Sequence, residues 1–376
     1  MLAISIIAFV LALGYVVSAG ILAGALRGNR RVRVPDSAAN ASVTVVIAAR
    51  DEEEALSVCL ESLSRQDYPP DAWNLVVVDD RSQDGTGQVV RRARDENDSI
   101  HALRVDECDP AYGGKQNALA AGIEHMAGMG ILGDIILFTD ADCVVPSSWI
   151  ADMVAAFSSP RVGMVAGWTT IPTTRSISSL LEKCELAYLL SVAFGMIALG
   201  RPVSAIGNNL GIRRKTYEEV GGYRNLGYTI TEDCALVQRV AATSWSITTA
   251  RDAAAVLTRP CSSIRDFVRQ RIRWAAGVRH LQVGQMLLPA FAFAHRSWIA
   301  LTSAMAWCGV LDWRIPAMVW CSSFLADAAL IGARKNWKWA PMSPLLTLWQ
   351  VIYQPVVAIM VLLSGRTRWR GSRYRL

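Results

Sequence analysis

The sequence predicts an α/β protein in which a mostly parallel, Rossmann-like sheet is flanked by transmembrane helices at both ends of the chain. Between Ser42 and about Thr170, short β-branched segments alternate with helical ones, which is typical of parallel sheets. The first 26 residues carry no charged side chain, and long apolar segments return near the C-terminus. Hydrophobic residues make up 52% of the chain and the mean hydropathy is +0.27, which is high for a purely soluble enzyme.

Residues 1–26 are predicted to form an uncleaved transmembrane helix, because roughly 20 apolar residues suffice to cross a bilayer. The alternative is a cleavable signal peptide, whose usual basic start and short apolar core of about 7–15 residues are not present. The basic run that follows consists of Arg27, Arg30, Arg31 and Arg33. Since positive charges tend to stay inside, we expect an outside N-terminus, a cytoplasmic central domain and a protein integral to the cell membrane.

The net charge of +6 could indicate a nucleic-acid partner. Many arginines flank apolar segments, however, where they would meet anionic lipid headgroups. We therefore predict contact with a membrane and no nucleic-acid partner. The eight cysteines are scattered without the spacing of a zinc site, so reduced, mostly buried thiols are expected.

Residues 42–260 are predicted to form the catalytic domain. The predicted strands are Val43–Ala48, Asn74–Asp79, Ile100–Val105 and Asp134–Thr139. The predicted helices between them are Glu52–Arg65, Asp84–Asn97 and Lys115–Met126. Continuous apolar strands indicate a parallel sheet that is covered on both faces. Ligands of such sheets bind at the carboxyl ends of the strands, which is where we look for functional residues.

Residues 261–282 are predicted to form an amphipathic helix at the membrane interface. Its apolar face consists of Ile264, Phe267, Val268 and Ile272. Its cationic positions are Arg265, Arg269, Arg271 and Arg273. The apolar stretch Leu186–Gly200 is too short to span a membrane, and a buried helix and an interfacial one both remain open.

Residues 283–364 are predicted to be a C-terminal transmembrane region, and residues 365–376 a basic tail. The apolar segments are Ser297–Leu311, Ile315–Ala333 and Ala340–Ser364, the first of which could begin before His295. Three full crossings would place the basic tail outside, against the positive-inside tendency. We therefore favour a cytoplasmic tail, with one segment re-entrant or an even number of crossings.

Acidic residues follow two of the predicted strands. Asp80 ends the second strand, where its carboxylate can accept hydrogen bonds from a base edge or a ribose hydroxyl. Asp84 is better suited to cap the next helix. Asp140 and Asp142 follow the fourth strand directly, and two carboxylates this close repel each other unless a cation lies between them. Mg²⁺ or Mn²⁺ with diphosphate oxygens would fit, so these two residues are the predicted metal ligands.

Two further segments begin predicted helices. Gly113-Gly114-Lys115 offers exposed amides and a lysine to phosphate, although an ordinary cap remains open and the spacing excludes a P-loop. Thr231-Glu232-Asp233 could simply cap its helix with acids. In a sugar-transfer site, Asp233 would instead be the general base that takes the proton of an acceptor hydroxyl.

Gln270, Arg273 and Trp274 lie three or four residues apart and hence on neighbouring positions of one helix. The arginine could face a diphosphate and the indole could stack on a sugar ring. A membrane-surface helix with a snorkelling arginine and an interfacial tryptophan explains them as well.

In this order the motifs resemble those of the family 2 glycosyltransferases, which share the GT-A fold. The resemblance covers about Ser42 to Trp274 and is highly specific as a set. Supporting phrases are Ala48-Ala49-Arg50-Asp51-Glu52-Glu53, Gln66-Asp67-Tyr68-Pro69, Gly207-Asn208-Asn209 and Gly221-Gly222-Tyr223. The asparagine that the family usually has before the glutamate is Asp51 here, which leaves the role of that position undefined.

The resemblance implies an inverting hexosyltransferase with a nucleotide-sugar donor, a UDP-sugar being the first choice, and Mg²⁺ or Mn²⁺ as cofactor. The implied nucleotide-sugar-binding residues are Ala48, Arg50, Glu52, Asp80, Lys115 and Asp140. Asp140 and Asp142 would hold the metal, and Asp233 would be the catalytic base. The implied acceptor- and diphosphate-binding residues are Glu232, Gln270, Arg273 and Trp274.

The tail Arg368–Leu376 and the arrangement of one leading and a few trailing helices are similar to ceramide glucosyltransferases, although that subgroup carries a degenerate Asp-x-Asp. This similarity implies a lipid acceptor and a glycolipid product. A processive polysaccharide synthase of the same family is the alternative. A dinucleotide-dependent oxidoreductase is disfavoured because no G-x-G-x-x-G turn follows the first strand. The intact set of candidate residues likewise disfavours a non-catalytic scaffold.

Overall fold

The computed structural model describes residues 2–28, 41–174, 176–334, 337–364, 366–369 and 372–375, the last two ranges by their backbone alone. It contains two compact units. The sheet unit comprises the described residues of 30–172 and 200–259, and the helical unit those of 1–29, 173–199 and 260–376. Arg30, Arg31, Arg33 and Arg370, on which part of the topology prediction depends, lie outside the described residues.

The described residues form the following elements in chain order. The helices are α1 (Leu2–Gly28), α2 (Glu53–Leu63), α3 (Thr86–Glu96), α4 (Gly114–Gly128), α5 (Trp149–Ala155), α6 (Ile177–Ala198), α7 (Arg214–Glu219), α8 (Glu232–Ala241), α9 (Ile264–Ala276), α10 (Val283–Trp307), α11 (Arg314–Ile331) and α12 (Ser343–Ser364). The strands are β1 (Val43–Ala49), β2 (Trp73–Asp80), β3 (Ile100–Val105), β4 (Ile135–Phe138), β5 (Val162–Ala166), β6 (Thr169–Thr170), β7 (Leu210–Arg213), β8 (Ser246–Thr249), β9 (Val256–Leu257), β10 (Arg366–Trp369) and β11 (Ser372–Arg375).

The main sheet has the strand order β3-β2-β1-β4-β7-β5-β8 within the described chain. β7 runs antiparallel to both of its neighbours, and the other neighbouring strands are parallel. β1 is central: Val45 aligns with Leu75 of β2 and with Leu137 of β4. The predicted α/β class with a mostly parallel sheet is therefore confirmed, and β1 to β4 lie within one or two residues of their predicted bounds.

The strands are apolar throughout because helices cover both faces of the sheet. On one face, Ile47 packs in a core that includes Leu56 of α2 and Trp149 of α5. On the other face α4 lies very close, since a Cβ atom at Gly122 would come within 2.8 Å of the Val78 side chain. This close packing brings the beginning of α4 to the carboxyl edge of the sheet.

The helical unit contains α6, which is longer than the predicted apolar stretch Leu186–Gly200. The helix begins at Ile177, and its first half includes two carboxylates, Glu182 and Glu185, that are buried with hydrogen-bond partners. Tyr188 of α6 packs with Tyr15 of α1 and with residues of α11. Residues 173–199 consequently group with the helical unit, although the sequence analysis places them within the domain 42–260.

Three helical segments among the described residues are long and apolar enough to cross a membrane: Leu2–Gly28, Arg314–Arg334 and Trp337–Val361. Helix α10, which contains the predicted segment from Ser297 as far as Trp307, begins at Val283 and does not meet this criterion because it is less apolar. In α9, Phe267 and Ile272 are buried as expected for an apolar face, but Ile264 is 71% exposed. Arg271, expected on the cationic surface of that helix, is 96% buried.

Candidate active site

The loops after β1 and β2 are tied together through Asp51. Its backbone is in the left-handed region (φ 52°), which asparagine and aspartate tolerate better than most residues. The Asp51 N–H donates to Ser82 Oγ at 3.1 Å, and the Gln83 N–H donates to Asp51 Oδ1 at 2.8 Å. Because an asparagine has the same side-chain oxygen, it could make the same bond. This explains why aspartate can replace the asparagine that the motif usually has here.

Three of the predicted nucleotide-binding residues flank this loop at the end of β1. Ala48 is half-buried and aligns with Val78 of β2. Arg50 lies 3.9 Å from the Asp51 carboxylate. The Glu52 N–H donates to Thr86 Oγ1 at 2.8 Å, which holds Glu52 against the start of α3. All three therefore lie at the carboxyl end of the central strand.

The two acids at the end of β2 have different partners. Asp79 is buried and accepts a bond from the Ser82 N–H at 3.0 Å, and Arg104 Nη1 lies 2.5 Å from its other oxygen. Asp80 is also buried and is paired bidentately with Arg81, at 2.8 Å from Nε and 3.1 Å from Nη2. Arg81 has a positive φ of 60°, a conformation that is uncommon for a long side chain. Asp79 is thus a structural residue, and Asp80 lies at the strand end where a ligand is expected.

The central feature is a cluster of opposite charges that three separate segments bring together. Lys115, at the start of α4, places Nζ 2.5 Å from Asp140 Oδ1 and 3.4 Å from Glu232 Oε1. Asp140 follows β4, and Glu232 opens α8. The Lys115 and Asp140 side chains are each 32% exposed, so solvent and solutes reach them. We call Lys115, Asp140, Glu232 and Asp233 the acidic–lysine cluster.

The electrostatics of the cluster favour a charged lysine. Burial alone would lower the pKa of Lys115, but the Asp140 and Glu232 carboxylates, with Asp233, raise it above its ordinary value. Burial and then the Asp142 and Asp140 carboxylates raise the pKa of the Cys59 thiol.

Asp233 is held at the first turn of α8. Its Oδ2 accepts a bond from the Gly207 N–H at 2.9 Å, and its Oδ1 accepts one from the Cys234 N–H at 2.8 Å. A Cβ atom at position 207 would lie 3.2 Å from the Asp233 carboxylate, so a glycine suits this close approach. Each carboxylate oxygen keeps a lone pair for another donor. The sequence motif Gly207-Asn208-Asn209 thus supports the candidate base.

Asp140 and Asp142 follow β4 and are the predicted ligands of a divalent cation. Both side chains are half-buried and offer the oxygen donors that Mg²⁺ and Mn²⁺ prefer. Over the described ranges, no three His, Cys, Asp or Glu side chains gather as a metal cage. Two carboxylates are only part of a coordination shell, so a cation held here would take its other ligands from a bound phosphate or from water.

Gln116 is a residue that sequence reasoning missed. It is 1% exposed, and its Oε1 accepts bonds from the N–H groups of Gly113 and Thr229 at 3.1 and 3.2 Å. Its Nε2 donates to the carbonyls of Tyr223 and Gly227 at 2.8 and 2.7 Å. One side chain thereby fixes the start of α4, which carries Lys115, to the segment that leads into α8. A glutamine in a helix gives no sequence signal for such long-range bonds.

Gln270, Arg273 and Trp274 lie on α9 in the helical unit. Ser263 caps this helix by accepting a bond from the Asp266 N–H at 3.1 Å. Within this unit the Gln270 carbonyl oxygen accepts bonds from Arg271 and from Cys261, the latter at 3.6 Å. The structure thus groups the predicted residues into two sets, the acidic–lysine cluster with the strand ends and the α9 motif.

A Rossmann-like sheet with charged side chains at the carboxyl ends of its parallel strands defines a class of proteins that bind nucleotides at that edge. The family model described as Glycosyl transferase family 21 matches residues 6–376 of this chain. The chain therefore belongs to that glycosyltransferase family, which agrees with the motifs of the sequence.

Two curated proteins are similar to this chain in sequence. The chain is 27% identical over 261 residues to a beta-monoglucosyldiacylglycerol synthase of Trichormus variabilis, which covers 68% of this chain and 53% of the relative. It is 25% identical over 236 residues to a poly-beta-1,6-N-acetyl-D-glucosamine synthase of Staphylococcus aureus, covering 62% and 54%. The chain thus spans about half the length of these curated relatives.

A solved structure with a similar fold is a mannosyltransferase, PcManGT from Pyrobaculum calidifontis, in complex with GDP-Man and Mn²⁺. The match has a TM-score of 0.61 at 20% sequence identity and covers 96% of this chain and 99% of the other. At this identity the likeness concerns the fold alone, and it confirms the predicted GT-A architecture.

Proposed function

We propose that this chain is an inverting, metal-dependent glycosyltransferase that moves a sugar from a nucleotide-sugar donor to a membrane lipid. The observation that carries the proposal is the acidic–lysine cluster, where Lys115, Asp140 and Glu232 meet at the ligand-binding edge of the sheet. The beta-monoglucosyldiacylglycerol synthase relative supports a lipid acceptor, and the mannosyltransferase with bound GDP-Man and Mn²⁺ supports a nucleotide-sugar donor and a metal.

The residues of the sheet unit have the following proposed roles. Ala48, Arg50, Glu52 and Asp80 bind the nucleoside at the ends of β1 and β2, and the Lys115 ammonium contacts phosphate oxygens. Asp140 and Asp142 would hold Mg²⁺ or Mn²⁺, and the bound cation would supply positive charge against the charge that develops on the leaving diphosphate. Lys115, now paired with Asp140, exchanges a carboxylate partner for a phosphate one, and its charge is retained in both states.

Asp233 is the proposed general base. Its carboxylate takes the proton of the acceptor hydroxyl, whose oxygen then attacks the anomeric carbon opposite the leaving nucleoside diphosphate. The bond to the new oxygen forms as the bond to the diphosphate breaks, which inverts the configuration. The Gly207 and Cys234 N–H groups fix the Asp233 side chain in one orientation, so little reorganisation is needed.

Glu232, Gln270, Arg273 and Trp274 are the proposed contacts of the acceptor and the diphosphate. Glu232 is buried beside Lys115 and keeps that lysine in place. Arg273 would pair with diphosphate oxygens, for which a guanidinium is suited, and the Trp274 indole would stack on a sugar ring.

The test is transfer of labelled sugar by the full chain in membranes with Mg²⁺ or Mn²⁺. UDP-glucose, UDP-galactose, UDP-N-acetylglucosamine and GDP-mannose serve as donors, and products are separated into lipid extract and insoluble polymer. We expect one or two sugars on a lipid, with the opposite anomeric configuration to the donor. Retention of configuration, or absence of transfer to lipid with all four donors, would contradict the proposal.

The second candidate is a processive polysaccharide synthase, which the poly-beta-1,6-N-acetyl-D-glucosamine synthase relative and the Gln270-x-x-Arg273-Trp274 motif favour. Against it, only two of the described C-terminal segments are apolar and long enough to span a membrane, which is few for a pore around a growing chain. The same assay decides, since a polymer in the insoluble fraction would support the synthase.

We further propose that the N-terminus is outside and that the sheet unit and the C-terminal tail are cytoplasmic. Two C-terminal spans after one N-terminal span return the chain to the cytoplasmic side. A green fluorescent protein fused to the C-terminus should fluoresce, and an alkaline phosphatase fused there should be inactive. The reverse result would place the tail outside.

A further inference from the structure

Arg271, which lies between the motif residues on α9, has an unusually buried charge. Its guanidinium is paired with Glu185 of α6 through Nε at 3.1 Å and Nη2 at 2.7 Å, both to the same oxygen. The two side chains are 4% and 0% exposed. The Tyr353 hydroxyl of α12 donates to the other Glu185 oxygen. A pair so deeply buried is costly to separate, so it fixes α9 against α6 and α12.

The same guanidinium contacts two residues of the α9 motif. Arg271 Nη1 donates to Gln270 Oε1, and the guanidinium carbon lies 4.3 Å from the centre of the Trp274 ring. The Phe267 ring lies 4.1 Å away and packs in turn against Trp349 and Tyr353. The orientation of Gln270 and of Trp274 is thereby coupled to the Glu185 pair.

A guanidinium can only donate hydrogen bonds, so it selects the carbonyl end of the Gln270 amide. The Cys261 thiol donates to the same oxygen at 3.6 Å. Both contacts go to the carbonyl oxygen, and among the residues that the structure describes the amide nitrogen is the end of Gln270 that faces no donor or acceptor and can meet a ligand. A ligand atom that meets this NH₂ group must be an acceptor, such as a phosphate oxygen or a sugar hydroxyl oxygen.

We propose that Arg271 is a positioning residue, which holds the Gln270 amide with its NH₂ group offered to an oxygen of the donor substrate. The proposal rests on the proposed function, in which Gln270 contacts the diphosphate or the acceptor. It adds a residue outside the motif and a direction for the Gln270 hydrogen bond. It also assigns Glu185 and Tyr353 to the support of Arg271.

The experiment is a double-mutant cycle on the full chain in membranes, with the sugar donor that supports transfer in the assay above. Arg271→Lys keeps the charge but loses the planar fork that reaches Glu185 and Gln270 together. We expect it to raise the KM for the donor about tenfold, as for a lost bond to a charged group. In a Gln270→Ala background the same change should have no further effect on KM.

The cycle separates positioning from a purely structural role. If Arg271→Lys raises KM by the same factor in both backgrounds, Arg271 does not act through Gln270 and the inference is overturned. Arg269→Lys is the matched control: it lies on the same helix, is 34% exposed, pairs with Asp266 at 3.6 Å, and should leave KM unchanged. If Arg271→Lys does not fold, Tyr353→Phe replaces it, since it removes only one bond to Glu185 and should raise KM by a smaller factor.

Gln270→Glu tests the direction of the hydrogen bond. The glutamate keeps an oxygen for Arg271 but replaces the NH₂ donor with an anionic oxygen, so KM should rise at least as much as in Gln270→Ala. Wild-type KM in Gln270→Glu would overturn the assignment. If Gln270→Ala itself changes nothing while Asp233→Asn abolishes transfer, this inference fails and the proposed base stands. If Asp233→Asn transfers sugar normally, Asp233 is not the general base, whatever the result for Gln270.

Discussion

Two ion pairs of nearly equal length serve different purposes in the two units. In the sheet unit, Lys115 lies 2.5 Å from Asp140, and each side chain is 32% exposed. In the helical unit, Arg296 lies 2.7 Å from Asp327, and the two are 1% and 0% exposed. Solvent screens the first pair, so it adds little to stability and can exchange one partner for a ligand. The second pair has no such freedom, since separating it would strand a charge in an apolar interior.

The surroundings of the buried pair show what it holds together. Arg296 Nη2 lies within 2.8 Å of Asp327, the Tyr15 hydroxyl and Gln350 Oε1. The Thr347 hydroxyl donates to Asp327 at 2.5 Å. These residues belong to α10, α11, α1 and α12, so four helices share one polar network. The difference between the two pairs teaches that exposure, and not distance, decides whether a pair is available for chemistry.

The largest expected effect comes from a substitution at Asp233, the proposed general base of the acidic–lysine cluster. Asp233→Asn should lower kcat by about 10³-fold, because general-base catalysis is typically worth 10²–10⁴-fold. The unfolding temperature should fall modestly, since asparagine keeps one acceptor oxygen but turns its NH₂ group toward the N–H of either Gly207 or Cys234, so kcat is compared per folded molecule. Transfer assays and thermal unfolding measure the two effects. Asp134→Asn, an exposed acid that pairs with Ser42, is the control and should have full activity.

Breaking the buried Arg296–Asp327 pair should instead lower stability and leave kcat per folded molecule unchanged. Arg296→Met leaves Asp327 charged and buried, and should lower the free energy of unfolding by about 3–5 kcal/mol. The double variant Arg296→Met/Asp327→Leu should recover most of that loss because no charge is left behind. Unfolding in detergent and kcat per folded molecule are measured. A fall in kcat without loss of stability would show that this network takes part in catalysis.

Metal dependence also distinguishes the sheet unit from the buried Arg296–Asp327 pair, because a cation can bind only where carboxylates are accessible. Addition of EDTA should abolish transfer, and Mn²⁺ or Mg²⁺ should restore it. Asp142→Asn should raise the metal concentration needed for half-maximal activity and lower activity by about 10²-fold, the upper part of the range for a lost group around a metal. Asp98→Asn, which changes an exposed acid, should titrate like the wild type. Full activity in EDTA would remove the metal from the proposed mechanism.

The sheet and the position of the site could be predicted from the sequence because both follow local rules. The runs Val43–Ala48 and Asp134–Thr139 have the composition of buried parallel strands, and acids that follow such strands lie at the binding edge. The pairing of Lys115 with Asp140 could not be predicted, because 25 residues separate them and only the packing of α4 brings them together.

The helical unit was less predictable for the same reason. Arg271 has the same local pattern as its neighbouring arginines, yet its partner is the buried Glu185, 86 residues away. The Arg296–Asp327 pair interrupts apolar stretches that the sequence presents simply as membrane segments. Long-range polar contacts leave no periodic pattern in the sequence. Composition alone therefore places charged residues such as Arg271 on the surface, although the structure buries them.

The smallest expected effect is at Gln116, a buried polar residue of the sheet unit. A substitution there should lower both the free energy of unfolding and kcat. Its NH₂ group donates to two carbonyls, and Gln116→Glu would place an oxygen against both of them. We expect a loss of about 2 kcal/mol in the free energy of unfolding, the cost of unsatisfied buried groups. Repulsion from these two carbonyls should displace the side chain and with it the bond to the Gly113 N–H beside Lys115, so kcat should fall about tenfold in the molecules that remain folded, as for one lost hydrogen bond. Gln88→Glu, an exposed glutamine of α3, is the control. If kcat per folded molecule were unchanged in Gln116→Glu, the position of Lys115 would not depend on this side chain. The charges of the acidic–lysine cluster would then suffice to hold Lys115 in place.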